Sequence, residues 1–67
     1  MSEKWYIVKF SDKNIEDYFL SDSYVVVKYK IGLEKDIIEH GDTTVLITPS
    51  EEIARKTKRA LDEQLRK

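Results

Sequence analysis

From Lys4 to Phe10 the chain alternates with the period of a β-strand. Tyr6, Val8 and Phe10 fall on one face, and Trp5, Ile7 and Lys9 on the other. Ser11-Asp12-Lys13-Asn14 has the composition of a turn, with Asn14 tolerant of a left-handed backbone. Segment 15–20 carries two patterns. Ile15, Tyr18 and Phe19 at i, i+3, i+4 suit a short helix capped by Ser11 or Asp12, whereas Tyr18-Phe19-Leu20 suits a strand answering the first across a hairpin. The strand is slightly preferred. Ser21-Asp22-Ser23 is a second turn cluster, and Tyr24 to Ile31, rich in β-branched and aromatic residues, is the most regular strand. Its faces are Val25, Val27, Tyr29 and Ile31 against Tyr24, Val26, Lys28 and Lys30, and Gly32 ends it.

Asp36–His40 and Thr43–Thr48 flank Gly41-Asp42. A two-residue Gly-Asp loop between β-prone runs predicts a type II′ hairpin, with a short helix over 33–39 as the competing reading. The chain then predicts its longest element. Thr48 can cap a helix, Pro49 suits its first position and Glu51 completes a capping box. Ile53, Ala54, Thr57, Ala60, Leu61, Gln64 and Leu65 form one stripe at helical spacing, carrying the helix to near Leu65. The expected fold is therefore α+β: a small antiparallel sheet of three or four strands packed by one C-terminal amphipathic helix, with residues 1–67 as a single domain.

Size and composition narrow the chemistry. At 67 residues the chain is near the lower limit for a core without disulfides or metal, and it has no cysteine to supply either a bridge or a thiolate ligand. The segment Met1–Trp5 lacks a secretory h-region, and the longest strongly apolar run, Tyr24–Val27, is far short of a membrane span. A soluble, cytoplasmic setting with no membrane contact is the expectation. Twelve basic against 13 acidic residues argue against a general polyanion binder.

Enzymatic constellations are missing. The single histidine, His40, stands beside Glu39 and Asp42, whereas a zinc site normally needs three or four protein ligands. Ser11, Ser21, Ser23 and Ser50 sit in turns or at a helix start, where hydroxyls satisfy backbone donors. Two glycines cannot build a Gly-rich phosphate loop. The expectation is a non-enzyme with no cofactor, no metal and no small-molecule substrate.

All the arginines lie on the final helix, and Arg55, Arg59 and Arg66 share its side away from the apolar stripe. Acids four residues before a base answer most of that charge: Glu51–Arg55, Glu52–Lys56, Asp62–Arg66 and Glu63–Lys67, with Arg59–Glu63 in reverse order. A solvated, internally paired face is preferred there over an anion-binding ridge.

Layer geometry gives the functional lead. One helix covers one face of a sheet; if Tyr6, Val8, Phe10, Val25, Val27 and Tyr29 meet it, the other face presents Trp5, Ile7, Lys9, Tyr24, Val26, Lys28 and Lys30. That face is too apolar for an ordinary wetted surface. The expected role is a regulatory, inhibitory or self-associating protein-binding module whose partner is another protein or a second copy of itself. A single-stranded nucleic-acid platform ranks behind it, opposed by Glu16, Asp17 and Asp22. The bland alternative has Ile15, Phe19 or Leu20 folding over the face.

Overall fold

The computed structural model describes residues 3–65. Six elements alternate along the described residues: β1 (Trp5–Lys9), α1 (Asp12–Asp17), β2 (Tyr24–Lys28), α2 (Leu33–Glu39), β3 (Thr43–Thr48) and α3 (Glu51–Leu65). The strands form one antiparallel sheet in the order β2-β1-β3, packed against the C-terminal helix in an α+β fold. β1 is central and pairs on both sides, with Ile7 opposite Val26 of β2 and Leu46 of β3. Pairing with β3 shifts register between Ile7 and Val8, leaving Val45 as an extra residue in a β-bulge.

Segment 15–20 is not a strand. Ser11 caps α1, its Oγ accepting from the Asn14 amide at 3.1 Å. Asn14 itself is helical, and its Nδ2 donates to the His40 carbonyl at 2.8 Å and to Asp42 Oδ1 at 3.0 Å. These bonds hold the helix against the start of β3, while β2 takes the pairing edge of β1 that the strand reading assigned to 15–20. The left-handed residue here is Phe19, at φ 52°, immediately after the Tyr18 cap that ends the helix.

The hairpin predicted over 36–48 does not form either, and the helix over 33–39 does. Leu33 and Ile37, one helical turn apart, bury against Tyr6 and Val8, with Val25 and Val27 alongside. Gly41, at φ 77°, serves as a left-handed helix stop. Its amide donates to the Ile38 carbonyl and that of Asp42 to the Ile37 carbonyl, both at 3.0 Å. Gly-Asp thus closes a helix rather than a turn between strands.

α3 begins two residues later than the Thr48 cap implied. Ser50 is the cap, its Oγ accepting from the Ile53 amide at 3.2 Å, so Pro49 stands before the helix. Glu51 reaches forward to Arg55 rather than back to a cap. The helix buries Ala54 and packs Leu61 with it against Ile7, Tyr24, Trp5, Val26 and Leu46. Thr57 is half-buried, whereas Ile53, Ala60 and Gln64 of the predicted stripe are exposed. The buried side is rotated toward Lys58 and Asp62, which the sequence pattern assigned to solvent.

Both sheet faces are therefore covered, and in the opposite sense to that expected. α3 lies on the Trp5/Ile7/Tyr24/Val26 face, and α2 takes the Tyr6/Val8/Val25/Val27 face. The second helix was lost from the sequence reading with the hairpin, so the layer argument had one cover too few.

Candidate functional site

The seven residues expected to form a partner-binding face fall into two groups. Ile7 and Tyr24 are buried beneath α3, with Trp5 and Val26 half-buried beside them. Lys9, Lys28 and Lys30 are exposed, and Lys28 Nζ pairs with Glu3 Oε1 at 3.1 Å. The helix buries Tyr24 and covers part of Trp5, so lysines and aromatics do not make one continuous surface there.

His40 caps the end of α2, with its Nδ1 2.7 Å from the Asp36 carbonyl. Of the expected ion pairs on α3, Glu51–Arg55 closes at 2.7 Å and Glu52–Lys56 at 3.0 Å. Arg66 and Lys67, with their two expected pairs, lie outside the described residues. Lys58 adds a partly buried pair with Asp62 at 2.7 Å and reaches Asp22, ahead of β2, at 3.9 Å. This places the charged flank of α3 on the β2 side of the sheet.

The β3 side is different. Both edges of the sheet are strands paired on one side only among the described residues, and the β3 edge reads Thr-Thr-Val-Leu-Ile-Thr without a charge or a proline. Such an edge presents backbone donors and acceptors in a row, ready to pair with another strand. The strand itself carries two exposed large apolar side chains, Val45 and Ile47 (43% and 50%); Ile38 of α2 (77%) shares a groove with Ile47, and Ile53 (52%) is exposed in the first turn of α3, which follows β3 in the chain.

Between α2 and β3 runs an open groove of about 390 Å³, lined by Tyr6, Glu34, Ile37, Ile38, Thr44 and Ile47 among others. Its α2 wall is set by Leu33 and Ile37, which pack against Tyr6 and Val8 of the central strand and leave open surface on the β3 side of that face. At its wall the Tyr6 hydroxyl donates to Glu34 Oε1 at 2.6 Å, and the Tyr6 ring stacks on Tyr29 with centroids 5.8 Å apart. Hydrogen bonding to the Glu34 carboxylate, then burial, then the negative charge of Glu34 and that of the Tyr29 phenolate push the Tyr6 phenol up to about 12. Tyr6 stays protonated and acts as a donor fixing Glu34, not as an acid or base near neutral pH.

Sequence reasoning missed Ile38, Val45, Ile47 and Ile53 as a group. The signal was present in Ile37-Ile38, since adjacent residues diverge by about 100° around a helix and burying Ile37 at the centre of the contact turns Ile38 toward its edge. Val45-Leu46-Ile47 held a second signal: an edge strand apolar on both faces leaves some of that surface uncovered.

No family model matches the chain, and neither a curated protein nor a solved structure matches it.

Proposed function

We propose that the chain is a small, non-enzymatic protein-binding module that engages its partner through the outer edge of β3 and the apolar residues around that edge. The observation that carries this reading is the meeting of exposed Ile38 of α2 and Ile47 of β3 along one groove beside the free edge of β3, a strand on which Val45 is exposed as well. Strand addition supplies main-chain hydrogen bonds, and side-chain contacts beside the edge supply selectivity. Tyr6 and Glu34 give the groove a fixed polar wall. Single-stranded nucleic acid is the weaker reading, because Trp5 and Tyr24, which would stack with bases, lie beneath α3.

The test is site-specific photo-crosslinking in cells. A benzophenone side chain at position 38 is expected to give discrete protein adducts, to another protein or to the chain itself. The same group at position 56, on the exposed charged face of α3, is expected to give none. Equal adduct patterns at the two positions, or none at 38, would remove the reading.

A further inference from the structure

Resting on that reading, we infer that the partner at the β3 edge is a second copy of this chain, joined by antiparallel β3–β3 pairing about a two-fold axis. Such pairing would make a continuous sheet from the three strands of each copy.

A two-fold contact brings a surface against itself, so any charge on it meets its own sign. The β3 edge has none from Thr43 to Thr48, and its threonines and β-branched residues are suited to cross-strand pairs. The adjoining flank of α3 has the same character. At about 100° per residue, Ile53, Thr57, Ala60 and Gln64 share the flank opposite Lys58 and Asp62. Because Lys58 reaches toward Asp22 at the β2 side, this uncharged flank is the one next to β3. Self-pairing would therefore set Ile53 and Ala60 of one copy near those of the other, while the Glu51–Arg55 and Lys58–Asp62 pairs stay at the far sides.

Size points the same way. The described core consists of seven buried apolar residues split between two sheet faces, a small store of burial for a 67-residue chain without disulfides. Oligomerisation is a recurrent remedy at this size. Natural edges are commonly blunted by lysine, proline or a bulge. Within Thr43–Thr48 only the bulge at Val45 is present, and Val45 remains 43% exposed.

Light scattering on the purified full chain, from about 1 µM to about 1 mM, reads the outcome directly. The expected mass rises from 7.9 kDa to twice that value with concentration. Ile47→Lys and Ile53→Lys are each expected to weaken association about tenfold or more by placing like charges across the axis. Ile31→Lys, an equivalent change at a fully exposed site away from β3, is expected to leave it unchanged. Circular dichroism checks folding; should Ile47→Lys unfold, Ile53→Lys, on an exposed helix surface, decides. Amide exchange in β3 should slow with concentration in the wild type. A mass of 7.9 kDa throughout, or a dimer indifferent to the folded lysine variants, overturns the inference. If the chain is monomeric but position 38 still crosslinks to another protein, only the identity of the partner fails. Monomer with no such adduct removes both.

Discussion

Phe19 occupies the left-handed region at φ 52°, yet its side chain is 92% exposed. Its conformation closes α1: the Leu20 amide reaches the Ile15 carbonyl at 3.1 Å and the Phe19 amide the Glu16 carbonyl at 3.5 Å. Such a position is normally glycine, because a Cβ there crowds the following carbonyl. Phe19→Gly removes that strain and gives up almost no packing, while adding backbone entropy to the unfolded chain. The net expectation is a gain of about 0.5–1 kcal/mol in urea unfolding; a loss would show that the exposed ring contributes something the isolated chain does not display. Tyr6 carries the other residue-scale prediction. Its pKa is raised in the fold, from 10.0 to about 12, so its contribution to stability is complete below pH 10 and is lost as pH climbs toward 12. Urea midpoints measured from pH 9 upward should fall more steeply for the wild type than for Tyr6→Phe, which has no phenol to ionise. Parallel curves would mean that the Glu34 contact does not shift the titration.

At the scale of elements, the ends are where sequence and structure part. The final helix was legible because its length gives the helical period many repeats, but two hydroxyl residues near its start, Thr48 and Ser50, offer competing caps. Ser50 wins, with the Thr48 hydroxyl accepting instead from the Ser50 amide at 3.2 Å. Ser50→Ala should cost about 1 kcal/mol of unfolding free energy in denaturant titration. Thr48 does not cap, so a Ser50→Ala variant as stable as the wild type would contradict this assignment. The short helices were harder to read. A six-residue segment such as α1 gives too few turns for periodicity to separate it from a strand, and its decisive contacts, Asn14 to His40 and Asp42, are remote in sequence. Gly41-Asp42 is ambiguous for a different reason: positive φ at Gly41 serves a hairpin or a helix stop equally. Gly41→Ala tests the helix-stop geometry. A Cβ there meets nothing within 4 Å, so the expected loss of about 1 kcal/mol arises from the backbone alone.

Across the whole molecule, strand alternation correctly sorted Ile7 with Trp5 and Tyr6 with Val8, but a period of two cannot say which helix covers which face. β1 is apolar on both faces because two helices need it, and losing α2 from the reading turned one buried layer into a supposed docking face. The groove and β3 edge were hidden for the same reason, since they depend on where α2 stops. Among the described residues, this arrangement makes β1 the only strand contributing buried side chains to both cores. Ile7, with no exposed surface, belongs to the α3 side, and Ile37 belongs to the α2 side. Ile7→Val and Ile37→Val should each cost about 0.5–1.5 kcal/mol, and the double variant should lose their sum within about 0.5 kcal/mol, because the two sites share no cluster. Unfolding should remain one transition by both fluorescence and circular dichroism, since neither layer has a sheet without β1. A double variant that melts in two steps, or a non-additivity well above that margin, would show that the helices are coupled through more than the strand between them.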